Sequence, residues 1–238
     1  VERRAVLAAT VAAGARTAYL IDEPLAAAIG ANIPIGEPSG NMILDVGGGA
    51  AEAAVISLGG VVVHKSVRVG GNKVDEAIAA FARKKHNLVI GDQTAEAVKL
   101  KIGSALRLDA PFDGTQGKQG KPEESMEVKG RDSVQGLPRT ITLTSTEVTE
   151  AIGPPLKQII GVVKAVLEEV PPELSADIID KGIVMSGGTS LLRNFDALMT
   201  QETGVPCYVA EEPMLCVVKG TGIALENLGL YKRSISRK

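Results

Sequence analysis

There is no tryptophan in these 238 residues, and only three phenylalanines and three tyrosines. The core must therefore be filled by alanine, valine, isoleucine and leucine, in a chain long enough for one large domain or two small ones. Cysteine is as scarce: Cys207 and Cys216 flank a turn-like stretch, 210–213, and are expected as two buried thiols rather than a disulfide. The two histidines, His64 and His86, have no partners at metal-ligand spacing, and no Ser/His/Asp or Cys/His set emerges. A net charge of −2, with no Lys/Arg cluster interleaved with aromatics, argues against a nucleic-acid binder. No apolar run is long enough to span a membrane, and no signal-peptide pattern opens the chain. The chain begins at Val1, without Met and inside a helix-like stretch, and is expected to be a piece of something longer.

Glycine, by contrast, is plentiful and clustered. Asp45-Val46-Gly47-Gly48-Gly49 stands between two apolar runs that both have strand character. A P-loop or a dinucleotide fingerprint would pass from a strand into a helix, whereas this triplet makes a tight strand-to-strand turn. Such glycines are expected to take positive φ and to present consecutive backbone N–H groups, an anion-binding concavity. Asp45, at the strand end, is placed to hold a hydrated divalent cation against phosphates. The alternative is an ordinary glycine-rich hairpin without a ligand.

The rest of the pattern is α/β without a plain βαβ repeat. A helix over 1–13 closes at Gly14, a buried strand covers 18–21, and Pro24 sits in the first turn of a helix reaching about 31. Strands over 42–46, 52–58 and 61–69 form a meander, with Gly59-Gly60 as a hairpin signal. Helices are predicted over 74–88 and 94–105, and a polar, glycine-rich loop over 111–124. Strands 126–129 and 140–143 could pair. Thr144-Ser145-Thr146-Glu147 fits a capping box opening a helix to about 170, which Pro154-Pro155 should kink or split. After Pro171-Pro172 come a short helix (173–180), a strand (182–185), a helix over 190–202 opened by Ser186-Gly187-Gly188, a strand (205–209) and a helix (214–228). The basic tail, 231–238, is expected to fray.

Three places could converge on one nucleotide. The glycine triplet is the first. The turn Ser186-Gly187-Gly188-Thr189 is the second, where N–H groups at a helix start favour negative charge, although such glycine pairs also serve close helix–strand packing. Glu96 and Lys99, three apart on one helix face, are the third, with a surface salt bridge as the plainer alternative. Glu23, at a strand end just before a helix, could orient a water toward a terminal phosphate; otherwise it is a helix-start carboxylate favoured by the dipole.

Together these segments resemble the bacterial actin homologues of the MreB/Mbl, rod shape-determining family, within the actin-like ATPase superfamily. The resemblance rests on the 20–30 segment Leu-Ile-Asp-Glu-Pro-Leu-Ala-Ala-Ala-Ile-Gly and on the Asp45–Gly49 turn. It rests also on Val67-Arg68-Val69-Gly70-Gly71, Ala95-Glu96-Ala97-Val98-Lys99, Pro171-Pro172-Glu173-Leu174 and Ser186-Gly187-Gly188. It covers nearly the whole chain apart from 111–124, which looks like an insertion. It implies an actin-like ATPase (ribonuclease H-like) fold with a small α+β insertion subdomain. On that basis residues 1–40 are the remnant of a first domain. Residues 41–69 and 144–228 form a second large subdomain bearing the cleft, whose final helix could pack on the first domain. Residues 70–143 are inserted, and 229–238 are a basic tail.

The resemblance further implies a cytoplasmic, ATP-binding protein that polymerises along the inner membrane and organises cell-wall synthesis, so that a rod-shaped cell keeps its form. Its partners would be copies of itself and the cell-wall elongation machinery, and its cofactors ATP and Mg²⁺. Asp45 would serve the metal and its waters. Gly47, Gly48, Gly49 and Ala50 would cradle the β/γ-phosphates. Glu96, Ala97, Val98 and Lys99 would meet the ribose and adenine side. Gly187, Gly188, Thr189, Ser190 and Leu191 would line the nucleotide, and Glu23 would position the attacking water.

Three departures stand against the family pattern. Ala50-Ala51 replaces a usual Thr pair, so hydrolysis is expected to slow while nucleotide binding survives. Thr189 stands where the family prefers glycine and is expected to crowd the base. The family's first phosphate loop, an Asp-Leu-Gly-Thr type turn, is absent, as are the apolar membrane-contacting elements, so the chain alone is expected to bind ATP and polymerise poorly. Alternatives within the superfamily are a DnaK-like chaperone switch, a sugar kinase, and a structural relative with impaired hydrolysis.

Overall fold

The computed structural model describes residues 2–108, 123–231 and 235–237. Its first elements are α1 (Glu2–Ala12), β1 (Tyr19–Ile21) and α2 (Glu23–Gly30), the last with Pro24 in its first turn. The meander follows as expected, in β2 (Asn41–Val46), β3 (Ala51–Ser57) and β4 (Gly60–Val67), all antiparallel neighbours. The turn between β3 and β4 centres on Leu58 and Gly59, with φ of 51° and 73°. That places Gly60 opposite Ser57 in the ladder rather than in the turn, because a two-residue hairpin of this hand needs positive φ at both central positions.

Two helices and a small antiparallel sheet come next. α3 (Gly71–His86) leads through β5 (Leu88–Val89) to α4 (Asp92–Ile102), and β6 (Ser125–Asp132) pairs with both β5 and β7 (Pro138–Thr144). Most of the expected 111–124 loop lies outside the described residues. α5 (Ser145–Glu169) then runs unbroken through Pro154 and Pro155, so it is not split. Its start is fixed by a reciprocal cap between Thr144 and Glu147. Each interior proline disfavours a helix by about 3 kcal/mol, but burial of Val148, Ile152, Leu156, Ile159, Val163 and Val166 along one face outweighs it.

α6 (Pro172–Lys181) and β8 (Ile183–Ser186) lead to a four-residue 3₁₀ turn, Gly188–Leu191. α7 begins only at Phe195 and ends at Thr203. The helix expected from 190 is therefore shorter, because the chain first makes that tighter turn. β9 (Cys207–Val209) and α8 (Cys216–Glu226) complete the core. The tail is not wholly frayed: the backbone of β10 (Ile235–Arg237) pairs antiparallel with β1, giving partners to a strand outside the main sheet.

The main sheet has the order β4-β3-β2-β8-β9, with β2, β8 and β9 parallel. One face is covered by α5, α6 and α7 in a core that continues without a break into α3, α4 and the small sheet. The other face carries α2 and α8. These two helices touch backbone to backbone. A Cβ on Gly30 would lie 1.8 Å from the Cys216 carbonyl oxygen, and one on Gly220 would lie 1.8 Å from that of Ala26. Both cysteines are free thiols; Cys216 is buried beneath this contact and Cys207 is partly buried.

Candidate functional site

The ends of β2 and β8 meet at the glycine triplet. The Gly47 N–H donates to the Ala50 carbonyl at 3.0 Å, which makes Gly48 and Gly49 the central residues of a two-residue turn. None of the three glycines takes the positive φ expected of them. Close approach supplies the reason for glycine instead, and it falls mainly on the facing strand end. A Cβ on Gly70 would lie 2.4 Å from the Gly47 carbonyl oxygen, and one on Gly71 would lie 2.8 Å from Thr189 Oγ1. The start of α3 thus docks onto the turn, with Gly71 N–H donating to Gly47 O at 3.0 Å and Asn72 N–H to Gly48 O at 2.8 Å. The N–H groups of Gly48, Gly49 and Ala50 meet no acceptor among the described residues, and Gly48 and Gly49 are exposed. Three successive donors therefore face solvent from a turn whose carbonyls are held from behind, the arrangement that captures anions.

Beneath the turn lies an acidic group. Asp45 is buried and accepts a hydrogen bond from Ser186 Oγ at 2.6 Å. Burial raises its pKa, the Ser186 hydroxyl opposes that rise, and the charge of Glu52 adds to it. Glu52 is directly opposite Asp45 in the β2–β3 ladder, and its other contact is His64, at 3.3 Å. Glu23, in the first turn of α2, completes the set: partial burial of its carboxyl, then the charges of Asp45 and Glu52, raise its pKa. Mutual repulsion among three carboxylates favours a cation there, yet no three His, Cys, Asp or Glu side chains among the described residues are arranged to ligate one directly. One carboxylate engaged by a hydroxyl fits a hydrated Mg²⁺ that keeps most of its waters.

On α4, Lys99 does not pair with Glu96. Its ammonium group reaches across to Asp75 of α3 at 2.9 Å, a pair that is nearly buried, and it lies 3.4 Å from a Cβ built on Gly71. Asp75 keeps one buried carboxylate oxygen, Oδ1, without a partner, and burial raises its pKa against the pull of Lys99. Glu96 and Ala97 are exposed on the same helix, while Val98 points into the core with no exposed surface. Val98 is thus a core residue of α4 and has no surface to offer a ligand.

The turn after β8 approaches from the other side. Gly187 has φ of 83°, and a Cβ there would lie 2.3 Å from the Val46 carbonyl oxygen, so this glycine seats the turn against β2. Gly188 and Leu191 are exposed, Ser190 is buried with its hydroxyl on the Gly187 carbonyl, and Thr189 is buried with Oγ1 donating to Gly47 O at 2.9 Å. The Thr189 side chain is turned toward the glycine triplet and away from the position where it was expected to crowd a base. Exposed Met214 stands beside Gly188, and with exposed Leu215 next to it in a second 3₁₀ turn it makes an apolar patch that sequence patterning missed. Asn72 and Asp75 were missed as well, since only the fold brings the first turn of α3 to the glycines. A separate cleft of about 450 Å³, bordered by Ile33, Asn41, Val184 and Tyr208, contains none of the expected site residues.

The family model described as MreB/Mbl protein matches residues 1–233. The chain belongs to the MreB/Mbl family. It is 46% identical over 231 residues to the cell shape-determining protein MreB of Escherichia coli K12, covering 97% of this chain and 63% of that protein. It is 44% identical over 236 residues to the cell shape-determining protein Mbl of Bacillus cereus, covering 99% of this chain and 67% of that one. Among solved structures it is similar to MreB5 of Spiroplasma citri bound to ADP, with a TM-score of 0.86 and 35% identity over 95% of this chain and 65% of that one. The fold is therefore actin-like, as expected, and the chain spans about two thirds of the length of its MreB and Mbl relatives. Among the described residues no helix is long and apolar enough to cross a membrane.

Proposed function

We propose that the whole protein binds ATP and assembles into filaments that keep a rod-shaped cell in form by organising cell-wall synthesis. The observation that carries this is the turn at Gly47–Ala50, with three unpartnered N–H groups facing outward between Lys99 on one side and the Gly187–Leu191 turn on the other. A relative, MreB5 of Spiroplasma citri, is recorded with ADP bound, which supports a nucleotide in the same cleft.

In this reading the backbone donors of Gly48, Gly49 and Ala50 hold the β- and γ-phosphates, while Gly47, its N–H on the Ala50 carbonyl, closes the turn that presents them. Lys99, Glu96 and Ala97 face the ribose and adenine side, with Val98 anchoring their helix in the core. Gly187, Gly188, Ser190 and Leu191 line the nucleotide, with the Thr189 side chain behind them on the Gly47 carbonyl. Asp45 would hold a hydrated Mg²⁺, which when bound supplies charge neutralisation at the phosphates. Glu23, its pKa raised, orients a water toward the terminal phosphate, a positioning role typical of phosphoryl transfer. We read residues 41–69 and 144–228 as the cleft-bearing subdomain, 70–143 as its insertion, and 1–40 as the link to a further domain. That domain would supply a second phosphate loop and membrane contact to a cytoplasmic protein. The partners are other copies of the protein and the cell-wall elongation machinery.

Ala50 favours a second reading, in which nucleotide tunes assembly and hydrolysis is lost, because a methyl group stands where the family usually offers a hydroxyl. Electron microscopy and light scattering of the full-length protein with ATP, and with a non-hydrolysable analogue, test both. Filaments that form with both and disassemble only with ATP support the first reading. Identical, persistent filaments support the second, and no nucleotide-dependent assembly contradicts the proposal.

A further inference from the structure

We propose that Thr189 is a positioning residue that sets the aim of the phosphate turn without touching the ligand; this rests on the nucleotide reading above. Its hydroxyl donates to Gly47 O at 2.9 Å, and the same carbonyl accepts from Gly71 N–H at 3.0 Å. A trans peptide is planar, with its C=O and N–H pointing in opposite directions. Two donors on Gly47 O therefore fix the plane of the 47–48 peptide and direct the Gly48 N–H outward. The next peptide is held the same way through Gly48 O, by Asn72 N–H at 2.8 Å. Of these three donors, two come from the start of α3 and one from the turn after β8, so Thr189 is the side chain that ties the base-side turn to the phosphate-side turn.

The side chain is only 8% exposed, and its Oγ1 packs 2.8 Å from where a Gly71 Cβ would stand. Lys99 Nζ lies 3.4 Å from the same Gly71 position, so the hydroxyl and the ammonium group flank one glycine.

The test uses the full-length protein with Mg²⁺ and compares the wild type with Thr189→Val, which keeps the shape and loses the hydroxyl, and Thr189→Ser, which keeps the hydroxyl. Calorimetric affinities for ATP, ADP and adenosine are measured, together with amide exchange at Gly71 and Asn72. For Thr189→Val, ATP and ADP affinity should fall about threefold to tenfold, the range of one neutral hydrogen bond, while adenosine affinity stays within twofold. Exchange at Gly71 and Asn72 should accelerate, and Thr189→Ser should restore both readouts. An equal loss for adenosine, or unchanged ATP affinity and unchanged exchange, overturns the positioning role. A wild-type protein that binds neither ATP nor ADP overturns the nucleotide reading itself, a result distinct from either.

Discussion

Ser186 Oγ donates to Asp45 Oδ1 at 2.6 Å, joining the ends of two adjacent parallel strands that are 141 residues apart in sequence. Both side chains are buried, so the carboxylate has given up water and relies on this donor. Ser186→Ala should lower stability by about 1–3 kcal/mol, the cost of leaving a buried charged acceptor without its hydrogen bond. Urea denaturation at neutral pH measures it, and an unchanged midpoint would show that the bond is replaceable by solvent.

The glycine contact between α2 and α8 has no slack. Gly30→Ala and Gly220→Ala each place a methyl group within 1.8 Å of a backbone oxygen, so the helices must separate. Overpacking of cores costs about 1–3 kcal/mol, and these two substitutions should reach or exceed the upper end of that range. Gly161→Ala, on the exposed face of α5 with open space around it, should instead stabilise by about 0.5–1 kcal/mol. The three variants in one denaturation series test the contact. A tolerated Gly220→Ala would refute it.

Glu147 links the start of α5 to the end of α3. It accepts from Thr144 N–H at 3.1 Å and approaches His86 at 3.0 Å and Lys85 at 3.2 Å. Burial alone would raise its pKa, but these hydrogen bonds outweigh burial and hold it below the ordinary 4.5. With the folded value below the unfolded one, its stabilising contribution is complete above pH 4.5 and is lost as pH falls through the folded value. Glu147→Gln should flatten that acid limb of the stability curve. Parallel curves for variant and wild type would show that other carboxylates carry it.

Much of this fold was legible because local signals and burial agree. The apolar runs of the β2–β4 meander, the Thr144–Glu147 cap and the order of the glycine turns all follow from pattern and turn chemistry. The misses share a cause. Pro154 and Pro155 read as breakers, yet they sit in a helix whose buried face decides its continuity. The triplet glycines suggested positive φ, whereas the constraint lies in what docks onto them, Gly70 and Gly71. Lys99 suggested a partner three residues away on its own helix, and found Asp75 on the neighbouring one. Pairings such as Gly30 with Gly220 carry no local signature, since each is an ordinary helical glycine until the two helices cross.

Ala50 closes the phosphate turn with its N–H free and no side-chain hydroxyl. Ala50→Thr should raise single-turnover ATP hydrolysis by the full-length protein about tenfold, because one added positioning contact is worth on the order of 1–3 kcal/mol in the transition state. ATP affinity should change by less than twofold, since the backbone donors are already present. Equal hydrolysis rates would show that the side chain at position 50 does not limit turnover.

The central claim is that the outward N–H groups of Gly48, Gly49 and Ala50 grip the phosphates of ATP. Residue-resolved NMR of the full-length protein with Mg²⁺, titrated first with adenosine and then with ATP, tests it most directly. Saturable shifts of these three amides with ATP and not with adenosine are predicted. Amides that stay unmoved while ATP binds elsewhere, or no ATP binding at all, would contradict it.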